Sequence, residues 1–243
     1  IMTTKKSIGR SIRPIFIPHQ NQIGVIEKDI EFDWHLGMSS EVRKRSIKSL
    51  HEQASKLGFK KILEASSKSE HEIGIKLSAF FLKNIKGYAV ENLFQSSKVF
   101  EKGGPFRDLL TVTPREAKKD ERLRNNGEMI KFSINNKDFP LEPKSLFYDW
   151  LYLNVLFSER NLKLRDTFFE QQFDAFSDIE FNPEKSFSCQ ARTLALCVSL
   201  YKNESVKYFI DDPIGLSREL NLYAKSSNSD KQFDLPILSN EEF

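Results

Sequence analysis

Val90-Glu91-Asn92-Leu93-Phe94-Gln95-Ser96-Ser97-Lys98 is the stretch on which the reading of this chain turns. An α-helix turns about 100° per residue, so residues three and four apart share a face. On one helix Glu91, Gln95 and Lys98 point the same way, a carboxylate, an amide and an amine in a single stripe. Leu93, Val99 and Phe100 are then free to face elsewhere. Such a stripe is either an ordinary solvated helix face or one wall of a polar site. Tyr88 stands at its start and Gly103-Gly104-Pro105 stops it, which predicts a helix over 88–102.

Downstream, Thr113-Pro114-Arg115-Glu116 is a capping box with proline at the first helical position. The helix it opens is expected to reach Arg124, before Asn125-Asn126-Gly127. Arg115, Lys118 and Arg122 lie along one face of it, and a helix N-terminus attracts anions. A phosphate or pyrophosphate fits there; pairing with Glu116, Asp120 and Glu121 is the plainer alternative. Lys144–Leu156 reads as an aromatic-rich buried helix, Arg165–Gln172 as another, and Ser188–Tyr201 as a core helix. Between the last two, residues 173–183 interleave acids with aromatics. As a half-buried strand this segment puts Asp174, Asp178 and Glu180 on one face, where desolvation raises carboxyl pKa values and suits proton transfer. A wet edge strand is the other reading.

Upstream, Ser69-Glu70-His71-Glu72 predicts a helix from Glu70 to about Leu77, and Phe59–Glu64 a short strand. Ser39 caps a helix that carries Val42, Ile47, Leu50, Ala54 and Leu57 and stops at Gly58. Arg13–Pro18 and Ile23–Trp34 read as the strands of a hairpin around His19-Gln20-Asn21-Gln22. Residues 1–11 are expected to be flexible, 12–224 to form one domain, and 225–243 to be a mobile tail. Ile1 reads as a remnant before a start at Met2. The fold class is α+β, a mainly α-helical single domain with a small N-terminal β element.

Composition narrows the function classes. Lys+Arg 37 against Asp+Glu 34 leaves +3, too balanced to demand a nucleic-acid or membrane partner. The basic cluster Arg43-Lys44-Arg45 with Lys48 is either a DNA-backbone contact or a solvated helix face. The chain has 21 Phe, ample for a core, and 10 Gly, few for a Gly-rich dinucleotide fold. No apolar run approaches the roughly 18 residues of a membrane helix, and no signal peptide opens the chain. Cys189 and Cys197, on one helix, are about 12 Å apart, too far for a disulfide. The four His (19, 35, 51, 71) all lie upstream, and no metal-ligand spacing occurs. A cytoplasmic protein without metal or cofactor is expected. Phosphate-binding Gly loops, Gly-x-Ser-x-Gly, HExxH and GxGxxG are missing.

Taken together, residues 78–132 resemble the core of the NADAR family, the NAD- and ADP-ribose-associated proteins. The family's Ser-Asn-Phe loop is here Leu77-Ser78-Ala79-Phe80, and its Val-Glu-His helix ending in Lys is Val90 to Lys98. Its Pro-x-Glu-Ala-Lys is Pro114-Arg115-Glu116-Ala117-Lys118, with Arg122 in the Gly-Arg position. More loosely, Asp138-Phe139 matches an Asp-Trp, Asp174 or Asp178 the late Asp, and Ser188-Cys189-Gln190-Ala191 the Gly/Asn-rich stretch. Asn92 replaces His, Phe139 replaces Trp, Trp-Gly-x-Gly is absent, and an N-terminal hairpin and helix are added. The chain looks most like the divergent branch found beside DarT-type toxins, which ADP-ribosylate guanosine in DNA.

The resemblance implies a NADAR fold and an antitoxin that hydrolyses the N-glycosidic bond of ADP-ribosylated guanosine in DNA, releasing ADP-ribose and opposing a DarT-type toxin. It makes Glu91 the carboxylate that shields an oxocarbenium-like centre or activates water. Lys98 would hold a phosphate or attack the anomeric carbon as a free amine. Asp178 or Asp174 would protonate the leaving base or orient the ribose. Arg115, Lys118 and Arg122 would contact the pyrophosphate. Phe80, Tyr88 or Phe139 would stack on a base, and Ser78, Asn92 and Gln95 would line the pocket. Two other classes stay open at this point: a non-catalytic ADP-ribose or nucleotide sensor, and a nucleic-acid-binding protein that blocks a partner by contact.

Overall fold

The structure is a computed structural model and describes residues 8–37, 39–184 and 186–223. Strands β1 (Ile8–Pro18) and β2 (Val25–His35) pair antiparallel without a break, from Ile8 opposite His35 to Pro18 opposite Val25. Residues 8–11, expected to be loose, are therefore strand, because 32–35 give their backbone groups a ladder. Residues 1–7 and the tail from 224 lie outside the described residues.

The hairpin's apolar face, Ile15, Ile17, Ile30 and Phe32, packs against Ile47, Leu50 and Ala54 of α1 (Ser40–Lys56). The Ser39 hydroxyl caps α1 by accepting the Val42 N–H at 3.3 Å. Ser49 and Ser46 accept the N–H groups of Asp33 and His35, both at 3.0 Å, and so stitch the helix to β2. The chain then enters β3 (Ile62–Glu64). Helix α2 (Glu72–Lys76) starts later than expected. Buried Ser69 accepts the N–H of His71, only two residues on, and the predicted capping box does not form.

Helix α3 (Val90–Ser96) is only seven residues long. The hydroxyls of Ser96 and Ser97 donate back to the Leu93 carbonyl, and the chain leaves the helix for β4 (Lys98–Phe100). Strand β4 pairs with β5 (Met129–Ile134), which pairs with β6 (Lys137–Phe139). This second sheet replaces the C-terminal half of the helix expected over 88–102.

A 3₁₀ turn (Arg107–Leu110) precedes α4 (Pro114–Lys119). Here the capping box does form: Thr113 Oγ1 accepts the Glu116 N–H at 3.3 Å and the Glu116 carboxylate accepts the Thr113 N–H at 2.9 Å. The helix expected to reach Arg124 breaks at Asp120, whose ψ of 127° is extended, and resumes as α5 (Arg122–Asn125).

Helix α6 (Leu146–Leu156) is buried almost all round, with Phe147 stacked on Phe132 at 4.3 Å between ring centroids. A 3₁₀ turn (Glu159–Asn161), α7 (Leu162–Glu170), β7 (Ala175–Ser177), α8 (Gln190–Lys202), α9 (Val206–Asp211) and α10 (Pro213–Glu219) follow. Strand β7 pairs antiparallel with β1 and parallel with β3, giving the order β2-β1-β7-β3. The N-terminal hairpin is thus half of a four-stranded sheet, not a small appendage.

The class is α+β, with helices on both sides of that sheet's strands and the larger core gathered around α3, α6 and α8. Buried Asp149 accepts hydrogen bonds from Arg192 Nη1 (3.1 Å), Thr193 Oγ1 (2.5 Å) and Tyr223 OH (2.8 Å), which clasps α6, α8 and residue 223 together. Among the described residues no helix is long and apolar enough to cross a membrane.

Candidate functional site

The start of α3 is pinned to the loop before it: the Glu91 N–H donates to the Ala79 carbonyl and the Val90 N–H to that of Leu82, both at 2.9 Å. This sets the Ser78-Ala79-Phe80 loop beside Glu91. Gln190, at the first turn of α8, accepts the Ala79 N–H at 2.6 Å and donates to Asp178 Oδ2 at 3.0 Å. One amide therefore ties the loop to the residue that follows β7.

Glu91 and Gln95 are both buried, and Gln95 Nε2 donates to Glu91 Oε1 at 2.8 Å. The other end of that amide, Gln95 Oε1, is buried without a partner. Lys98 lies on β4 and not on the helix, yet the turn at Ser97 keeps it in the field of Glu91. Its ammonium sits 4.7 Å from the centroid of the Phe94 ring. Burial, helped by the nearby Lys118 charge and opposed by Glu91, lowers its pKa from 10.5 to about 8.

Asp178 moves the opposite way. Burial first, then the Glu64 carboxylate, raise its pKa from 3.8 to about 8, against the pull of the Glu180 N–H, Gln190 and Lys118. Lys118 is exposed on α4, with its ammonium 5.6 Å from the Phe80 ring centroid, and its charge acts on both Lys98 and Asp178. The buried Tyr148 hydroxyl lies in the fields of Glu91 and Asp178 together. Glu91, Lys98, Lys118, Phe80 and Asp178, from five separate segments, thus converge. An amine poised to lose its proton and an acid poised to keep one, both near neutrality, are the equipment of nucleophilic and general-acid chemistry.

Other expected site residues lie elsewhere or are already engaged. The buried Ser78 hydroxyl donates to the Ile75 carbonyl at 2.7 Å and holds its own turn. Asn92, about 100° round α3 from Glu91, donates to the carbonyls of Leu109 (2.7 Å) and Val112 (2.9 Å), so it fastens the 3₁₀ turn. Tyr88 lines a separate cavity of about 620 Å³ with Leu93, Ser96 and Trp150. Phe139 is 1% exposed, 4.4 Å from Trp150 and 5.1 Å from Phe147 between centroids, a core side chain and not a wall.

Arg122 is gripped by Asp108 (2.5 Å) and Asp120 (2.9 Å) above the Phe106 ring, so its guanidinium is committed within the fold. Arg115 is exposed on α4. Asp174 accepts the N–H groups of Lys60 (2.8 Å) and Lys61 (3.1 Å) and locks the entry to β3. Glu180 pairs with Arg43 at 3.6 Å. Asp174, Asp178 and Glu180 do not share a face, because β7 is three residues long and the chain turns beyond Ser177. Arg43, paired with Glu180, also lies 4.5 Å from the Trp34 ring centroid.

Gln190, Tyr148 and Glu64 were not foreseen. A signal existed for Glu64, a lone carboxylate inside the apolar run Ile62-Leu63-Glu64-Ala65. Tyr148 had none beyond its place in an aromatic helix. Among the described residues no three His, Cys, Asp or Glu are grouped to hold a metal ion. Cys189 and Cys197 are free and buried.

A family model described as the DarT1-associated NADAR antitoxin matches residues 11–231. No curated protein matches the chain.

Proposed function

Because the chain belongs to the DarT1-associated NADAR antitoxin family, we propose that it reverses the toxin's mark by hydrolysing the N-glycosidic bond of ADP-ribosylated guanosine in DNA. The observation that carries this reading is that Lys98, in the field of buried Glu91, and Asp178 are shifted in opposite senses, with the charge of Lys118 acting on both.

In this mechanism Lys98 Nζ, as the free amine, attacks the anomeric carbon of the ADP-ribose. The bond to the guanine nitrogen breaks as the Asp178 carboxyl gives its proton to the leaving base. Glu91 stabilises the positive charge that builds on the anomeric carbon and ring oxygen. The ribose ring then opens. The ring oxygen takes a proton as Nζ loses one, leaving an imine in protonated form. Water adds to the imine carbon, the amine leaves, and ADP-ribose is released with Lys98 regenerated. The sum is one water consumed, guanosine restored and ADP-ribose freed.

Lys118 and Arg115, both exposed on α4, supply charge for the pyrophosphate, and Phe80 offers a ring face beside Lys118. The direct test is incubation with DNA carrying ADP-ribosylated guanosine. Free ADP-ribose and unmodified guanosine are the expected products, and intact modified DNA after exhaustive incubation refutes the proposal.

A further inference from the structure

Behind Asp178 lies a buried network that the mechanism above leaves unused. Glu64, at the end of β3, is 1% exposed. Its Oε1 accepts the Ile179 N–H at 2.8 Å and its Oε2 accepts the Ser177 hydroxyl at 2.5 Å. Ile179 directly follows Asp178, so the Glu64 carboxylate binds the next peptide along from the proposed acid. Ser177 Oγ also lies 2.7 Å from Nε2 of His51, on α1. His51 and Glu64 line a cavity of about 610 Å³ together with Lys48, Glu52, Lys56, Glu70 and His71.

The chain of contacts has a polarity. Burial, with the His71 charge adding to it, lowers His51 to about 4, so its imidazole is neutral at physiological pH. A neutral ring with its proton on Nε2 donates to Ser177, whose single proton then goes to Glu64. Burial is the largest influence on Glu64 and leaves its pKa raised, but the Ile179 N–H and the Ser177 and Ser66 hydroxyls all favour its charged form and oppose that rise. A charged Glu64 next to Asp178 opposes a second negative charge, as when two carboxylates share a site.

We propose that Glu64, with its charge set by the His51–Ser177 chain, is a positioning residue that keeps the proton on Asp178, so that Asp178 enters the reaction as an acid. This rests on the reading of Asp178 as the proton donor. It gives the added N-terminal segment a part in the chemistry, since α1 delivers His51. The other groups facing the pair are Ser66 and Glu180 around Glu64, and Gln190, Lys118, Tyr148 and Cys189 around Asp178. All of them are retained in the test variants.

The experiment is the pH profile of kcat/KM on ADP-ribosylated guanosine DNA for wild type, Glu64→Gln and Ser177→Ala, with a ¹³C NMR titration of the Asp178 carboxyl in each. In Glu64→Gln the Asp178 titration and the descending limb should move down by about one pH unit, with burial still holding it above a free Asp. The ascending limb, set by Lys98, should stay in place. Ser177→Ala keeps Glu64 but removes its donor, so Glu64 competes for the proton and the Asp178 titration falls in the same direction. A folded Glu64→Gln in which Asp178 titrates as in wild type overturns the proposal. If Glu64→Gln does not fold, an unmoved Asp178 in Ser177→Ala does so. Loss of the parent reading looks different: full activity in Asp178→Asn removes the acid role, while the carboxyl titration still decides whether Glu64 sets the proton.

Discussion

If Lys98 is the nucleophile, its burial is the quantity that makes it one. An amine with a pKa of about 8 is roughly one-tenth free base at pH 7, whereas one at 10.5 is free in only about one molecule in three thousand. The surroundings of Lys98, chiefly burial, therefore raise the supply of nucleophile about 300-fold at that pH. Borohydride added during turnover should reduce the imine and leave one ADP-ribose fixed to Lys98, read by mass spectrometry of the peptide spanning β4. Because the free amine must attack while Asp178 still holds its proton, early trapping should rise about tenfold from pH 6 to pH 7 and fall again above pH 8. Lys98→Ala should trap nothing and lose about 100-fold or more in turnover. Active wild type that is never trapped would show that Lys98 holds a phosphate instead, and excess substrate should then partly rescue Lys98→Ala. Near-normal turnover in folded Lys98→Ala would refute any role for the residue.

Glu91→Gln keeps the size and hydrogen bonding of the side chain but removes its charge, so kcat should fall about 100-fold or more while the melting temperature holds; a small kinetic effect would displace Glu91 from the site. Overall activity should be bell-shaped with its optimum near pH 8, rising as Lys98 loses its proton and falling as Asp178 loses its own, and a flat profile across pH 6 to 10 would contradict the pairing. Millimolar ADP-ribose should raise the melting temperature, and Arg115→Ala with Lys118→Ala should weaken that shift without unfolding the protein. Asn92→Ala should cost stability and not chemistry, about 1–3 kcal/mol in denaturant unfolding, because the buried Leu109 carbonyl and the part-buried Val112 carbonyl lose their donor.

What could be read from the chain alone was whatever contiguous residues encode. The hairpin shows in the alternation of Ile30 to Trp34, α1 in the Ser39 cap and its apolar spacing, and the start of α4 in the Thr113-Pro114-Arg115-Glu116 box. Glu91, Lys98 and Asp178 were also legible as candidates, through chemical type and through the resemblance of their neighbourhood to a family. The end of α3 was not, because its partner strand β5 lies far along the chain, and pairing with a distant strand overrides local helical spacing. The same holds for the failed cap at Ser69, whose hydroxyl is spent on a nearer N–H in a buried turn.

Only the tertiary structure separated Asp178 from Asp174. Both are half-buried acids among aromatics in one short segment, but one is held by backbone N–H groups at the mouth of β3 while the other accepts from Gln190 and lies in the field of Glu64. It also gave Asn92, Arg122 and Phe139 partners of their own within the fold. Sequence specifies which groups exist and which helix or strand starts they favour. Desolvation and charge–charge coupling depend on neighbours brought together by folding, and these decide which amine is free and which carboxyl keeps its proton.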